Sequence, residues 1–206
     1  MSIITLNENG RHFIFFAQGT DVASAAKTVV RSLPPADPAP LADALLPAFL
    51  TNLSDAPKRA FVSVEGASAF HLERMQGFHA KDIGAGDVLI DGVLAVPHPC
   101  VPRGLVLGGR RSPLAHAGAA DHIVVTARTA QAAENCAAEI CAAVPDTQTY
   151  EAEESWNALS LGARHAAALR GEGKIYGAAI THKGRGRVVG ALDPNPLFRL
   201  RVSDWR

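Results

Sequence analysis

The chain has 206 residues, 20 Lys and Arg against 20 Asp and Glu, 48% hydrophobic residues and 19% charged ones. That length suits one domain with a proper core, and the composition excludes a disordered chain. A formal net charge of zero removes the global field that would hold nucleic acid or an anionic membrane, and no apolar run reaches membrane-spanning length.

In chain order, Ser2–Leu6 and Arg11–Phe16 read as two strands joined at Asn7–Gly10, where Asn-Gly supports the left-handed backbone of a hairpin. A helix then opens at Gly19-Thr20-Asp21, capped by Thr20, and runs to about Leu33 with Val22, Ala26, Val29 and Leu33 on one face. Pro34–Pro40 is expected as a stiff loop. Leu41–Leu53 follows as a helix with Leu41, Leu45 and Phe49 in register and Pro47 as a kink or a fresh first turn.

Ala60–Val64 is β-rich, and a further strand is expected between Ala69 and Ala80. Val88–Ile90 and Val93–Val96 form a hairpin about Asp91-Gly92, and Leu105–Leu107 and His122–Thr126 are short strands. Ala130–Val144 is a helix whose face of Ala133, Cys136, Ala137, Ile140 and Val144 is small enough to lie close to a sheet. Glu153–Arg170 is a second long helix, with Trp156, Leu159, Ala163 and Ala167 taken as inward. Lys174–Thr181 and Arg187–Leu192 make a terminal hairpin, and Leu197–Val202 adds a strand.

Strands arrive as hairpins and not in regular alternation with helices. The expected fold is therefore α+β: two layers, with a mostly antiparallel sheet packed against Ala-rich helices. Residues 1–206 form one domain, with 174–206 as a candidate appendage. Strand–turn–strand–helix units recur, although no internal sequence repeat stands out. Three cysteines, Cys100, Cys136 and Cys141, follow no disulfide or zinc spacing, and the first residues carry no signal pattern. Both points lead to the expectation of a cytoplasmic protein.

Chemistry concentrates between residues 98 and 122. His98 and Cys100 flank a proline and form a candidate catalytic pair, because an imidazole can lower a nearby thiol pKa; an inert thiol beside an ordinary histidine is the competing reading. Arg103, Arg110 and Arg111 with Gly108 and Gly109 make a candidate anion site, in which glycine lets main-chain amides face the ligand and arginine offers a bidentate fork. His116 and Asp121 complete it. His71, Glu73 and His79 lack metal-ligand spacing, so no metal is expected, and the cofactor is left undetermined.

Gly108-Gly109, then Gly118, Ala120 and Asp121, the strand His122–Arg128, and Lys174–Ala179 ahead of Arg187-Val-Val-Gly190 resemble the ApbE-like superfamily, nearest its uncharacterised cytoplasmic branch. The likeness covers about half of the chain. It implies a shared fold and a flavin or nucleotide as a possible anionic ligand. The superfamily's flavin transferases carry an aspartate and, four residues later, a threonine that help hold magnesium. Glu134 and Ala138 stand there in this chain, which argues against flavin transfer.

The expected function is binding of a small phosphorylated or carboxylated metabolite, with transfer or hydrolysis as the chemistry that suits the arginines. The alternatives are a non-catalytic subunit of a homo-oligomer, a Cys100-dependent hydrolase, and last an RNA binder using Lys183, Arg185 and Arg187.

Overall fold

Two-residue turns at Asn9-Gly10, Glu65-Gly66 and Lys183-Gly184, with both residues at positive φ, start the architecture. Such type I′ turns twist with the strands they join and so favour tight hairpins. A computed structural model describes residues 2–18, 21–32, 36–72, 90–91, 104–147, 152–190 and 199–200. The elements are β1 (Ser2–Glu8), β2 (Arg11–Ala17), α1 (Val22–Val30), α2 (Pro38–Thr51), β3 (Arg59–Val64), β4 (Ala67–Leu72) and β5 (Ile90–Asp91). They continue with β6 (Gly104–Gly108), β7 (His122–Ala127), α3 (Ala130–Ala142), α4 (Ala152–Gly171), β8 (Ile175–His182), β9 (Arg185–Gly190) and β10 (Arg199–Leu200).

Eight strands form one sheet in the order β1-β2-β3-β4-β6-β7-β8-β9, and every neighbouring pair is antiparallel. The fold is thus a mixed helix and sheet structure with a sheet-dominated core. The two short strands β5 and β10 pair separately.

The sheet divides into halves with the same sequence of elements: β1-β2-α1-α2-β3-β4 and β6-β7-α3-α4-β8-β9. The register agrees as well. Ile14 and Phe15 of β2 face Ser63 and Val62 of β3, just as His122 and Ile123 of β7 face Thr181 and Ile180 of β8. Counting equally onward from Ile14 and from His122 reaches Val22 and Ala130, the first residues of α1 and α3. Buried Leu41, Ala42, Leu45 and Phe49 of α2 recur with the same spacing as Ala158, Leu159, Gly162 and Ala166 of α4. Large side chains fill this space in the first half. Small ones stand there in the second: a Cβ on Gly162 would lie 2.6 Å from Val144 Cγ2.

Side chains alternate across the strands. Phe15, Val62, Val106, Val125 and Ile180 point into the main core with the helices, where Phe15 meets Phe49 with ring centroids 5.0 Å apart. Their neighbours Phe16, Phe61, Leu105, Leu107 and Val124 are buried on the opposite face, with Phe16 stacked on Phe61 at 5.2 Å. Burial on both faces explains why Ile123-Val-Val reads as a continuous apolar run.

The start of α3 is held twice. Thr129 caps Ala132 N at 3.1 Å, and the Asp43 carboxylate from α2 accepts from Ala130 N at 2.8 Å and Gln131 N at 2.9 Å. A negative charge at this end also suits the helix dipole.

Several sequence expectations change. The helix expected from Leu41 already begins at Pro38, because proline needs no partner for its missing N–H in a first turn. Pro47 sits inside that helix. On α4 the inward stripe is Ser155, Ala158, Leu159, Gly162, Ala166 and Leu169, whereas Trp156 is 40% exposed and Ala167 exposed. Reading the helix from its largest apolar residue rotated its face by one position. Thr20, the 93–96 strand and most of the 69–80 and 197–202 stretches lie outside the described residues, although β4 covers 67–72.

Candidate functional site

Where the first half joins β1 to β2 with Asn9-Gly10, the second half joins β6 to β7 with residues 109–121. This insertion carries most of the residues picked out by sequence. It folds back onto the end of α3 and the β7–β8 strand ends. Ala119 N donates to Val144 O at 3.1 Å and Asp121 N to Thr181 O at 2.8 Å.

The expected cradle of main-chain donors takes a different form. Gly109 N donates to Leu114 O at 3.1 Å, Arg110 N to Ala120 O at 3.0 Å, Arg111 N to Asp121 O at 3.0 Å and Ser112 N to Gly109 O at 3.3 Å. These amides brace the loop, so a ligand there meets side chains. The glycines serve close packing. A Cβ on Gly108 would lie 2.3 Å from His116 Cδ2, and one on Gly118, at φ +112°, 1.9 Å from Cys141 O.

Arg110 and Arg111 are both exposed. Arg110 Nη2 pairs with Asp146 Oδ2 at 2.7 Å and its Nε donates to Gly118 O at 3.0 Å. Arg111, 60% exposed in its side chain, places Nε 3.6 Å from Asp121 Oδ1. Hydrogen bonding to Arg110 holds the Asp146 carboxyl below its ordinary range, with Arg110, Lys183 and His182 adding charge attraction. The two carboxylates differ in kind. Asp146 is a solvent-exposed partner of the type worth little and easily exchanged, whereas Asp121 is buried and accepts from Lys183 N at 2.6 Å.

Histidines surround this cluster without converging. His182 is buried, donates from Nδ1 to Ala119 O at 2.7 Å, and places Nε2 3.3 Å from Thr147 Oγ1. His122 places Nδ1 2.9 Å from Ser112 Oγ, and burial holds its pKa below the ordinary imidazole value. His116 packs over Gly108 with its Nε2 buried and, among the described residues, without a hydrogen-bond partner; burial lowers its pKa too. An oxyanion developing beside Ser112 would find the neighbouring amides already engaged.

The structure therefore gathers Gly108, Gly109, Arg110, Arg111, His116 and Asp121 at one end of β6, β7 and β8. His98, Cys100 and Arg103 lie outside the described residues. Ser112 lies within the inserted loop but was not picked from sequence, nor were Asp146, Thr147 and His182, and Lys183 was picked only as an RNA contact. The β7–β8 pairing and the chain leaving α3 bring Asp146, Thr147, His182 and Lys183 in, and no local pattern announces that.

Glu134 of α3 is half-buried, with its carboxyl raised by burial and then by Asp37. Ala138 offers no oxygen, and among the described residues no group of three or more His, Cys, Asp or Glu is placed to hold a metal. The magnesium that the resemblance implies does not fit these residues. Cys136 and Cys141 are buried free thiols, and burial pushes Cys141 up to about 12. No helix among the described residues is long and apolar enough to cross a membrane. Comparison with known proteins finds no matching family model and no matching curated protein.

Proposed function

We propose that this protein binds a small phosphorylated or carboxylated metabolite at the loop 109–121, with the Arg110 and Arg111 guanidiniums as its contacts. One observation carries the reading. The second half replaces a two-residue turn with a hydrogen-bonded loop that presents two adjacent, exposed arginines beside Lys183. Because the loop is braced by its own amides, little ordering entropy is lost when a ligand arrives. A ligand anion competes with the exposed Asp146 for Arg110 and with Asp121 for Arg111, and Asp121 is also held by the β8–β9 turn.

The ApbE-like resemblance belongs to this reading as a source of candidate ligands, with a flavin or nucleotide phosphate among them. So do the cytoplasmic setting and the two-layer arrangement with Ala-rich helices. Loss of the magnesium ligands favours binding over flavin transfer.

The test is a thermal-shift titration with inorganic phosphate, pyrophosphate, FMN and citrate, on the wild type and on Arg110→Ala/Arg111→Ala. Ligand at one hundred times its Kd stabilises by about 2.7 kcal/mol, which raises Tm by roughly 5–11 °C for a domain of this size. The double variant should lose that shift. An equal shift in both proteins refutes the reading.

A further inference from the structure

The sheet ends in two edges of different character. In the β1–β2 hairpin, the two-residue turn makes Glu8 and Arg11 a hydrogen-bonded pair, and the register then makes Leu6–Phe13, Ile4–Phe15 and Ser2–Ala17 hydrogen-bonded pairs. The N–H and C=O of Ile3, Thr5 and Asn7 consequently point away from β2. Among the described residues nothing pairs with them. These three residues are exposed, Ile3 at 50%.

Edges of this kind are usually blunted by proline, lysine, a bulge or a short length. β1 has none of these: it runs seven residues in unbroken register, and its only charge is Glu8 beside the turn. β9, by contrast, is blunted. The same register rule turns Gly186, Val188 and Gly190 outward, Gly190 has φ +79°, and Arg185 and Arg187 flank the strand over the Trp156 ring.

We propose that β1 is a homodimer interface, in which two copies pair β1 with β1 antiparallel about a two-fold axis at Thr5 and so join their eight-stranded sheets. The strand's own register selects this partner. With the axis at Thr5, outward-facing Ile3 meets Asn7 of the second copy and Thr5 meets Thr5, so every outward N–H and C=O finds its complement. Ile4 falls opposite Leu6, and both are half-buried residues already packed on the core, so pairing extends it across the axis. Thr opposite Thr is a favourable cross-strand pair, and Glu8 meets Ser2, so no like charges oppose each other. The interface is isologous and closes at two copies, whereas pairing β1 with a second copy's β9 would propagate.

The experiment is light scattering with size-exclusion chromatography on the full chain, beside amide hydrogen exchange. The wild type should run at twice the chain mass at micromolar concentration. Thr5→Pro removes an outward N–H and leaves the β1–β2 bonds intact, so it should give a folded monomer. Val188→Pro at the other edge should remain dimeric. Amides of Ile3, Thr5 and Asn7 should be protected like those of Ile4 and Leu6, and should lose protection on dilution. That exchange pattern decides the matter even if Thr5→Pro fails to fold. A monomeric wild type, a dimer released only by Val188→Pro, or freely exchanging Ile3, Thr5 and Asn7 amides overturns the proposal.

Discussion

Gly118→Ala probes the attachment of the inserted loop to α3. Gly118 sits at φ +112°, where a side chain costs about 1–3 kcal/mol in backbone strain. A new Cβ would also lie 1.9 Å from Cys141 O and 2.4 Å from Cys141 C, both backbone atoms that no rotamer change can move. Relief requires the loop and the helix end to separate by more than an ångström. That stretches the 3.1 Å bond from Ala119 N to Val144 O, worth about 1 kcal/mol, and loosens the solvent-exposed bond from Arg110 Nε to Gly118 O. The sum is a loss of roughly 2–4 kcal/mol, or about 4–16 °C in Tm. Gly171→Ala is the control: nothing lies within 4 Å of its Cβ, so its Tm should move little or rise. Calorimetry of both variants decides the matter. A Gly118→Ala protein within about 0.5 kcal/mol of wild type would refute this packing.

Other expectations concern charge, helix faces and thiols. His116 and His122 are held neutral by burial, so the unfolded chain takes up protons more readily. Stability is complete above the ordinary imidazole value of 6.5 and falls as the pH drops below it, a slope that urea melts should find reduced in His122→Gln. Asp43→Ala removes the acceptor of two α3 amides and should cost about 1–2 kcal/mol, with Asp43→Asn recovering part of it; an unchanged denaturation midpoint in Asp43→Ala contradicts the cap. Leu159→Ala should cost about 2–5 kcal/mol and Trp156→Ala little, and the reverse order would show that α4 faces the other way. Cys136 and Cys141 should resist iodoacetamide at neutral pH in the folded protein and react once it is unfolded.

Legibility in the sequence followed the range of the interactions. The Asn9-Gly10 turn, the Ala130 helix and the inward row Leu41, Leu45 and Phe49 are local signals, and the structure has them; the terminal hairpin is there too, with a tighter turn at Lys183-Gly184 than its expected strands left. The face of α4 was illegible because a small residue, not a large one, marks where the helix meets the chain leaving α3; Gly162 gives no hydrophobic signal. Recurring strand–turn–strand–helix units were visible in the sequence, but not the position-by-position match of the two halves. Phe15 with Ile123 and Phe49 with Ala166 share positions without sharing residues, so only register shows the correspondence. Gly108 and Gly109 read as letting backbone face a ligand; the structure adds a packing constraint, since a Cβ would lie 2.3 Å from His116 Cδ2 and 2.6 Å from Asp121 O respectively. Lys183 and Asp146 reach the cluster through contacts dozens of residues apart in sequence, where no spacing rule applies.

The claim that the inserted loop is an anion site rests on two side chains, and their own resonances report on it. In a phosphate titration followed by arginine Nε–H NMR, the signals of Arg110 and Arg111 should shift together and saturate, while those of Arg185 and Arg187 stay in place. Unmoved Arg110 and Arg111 signals, or a uniform drift of all four, would contradict the account.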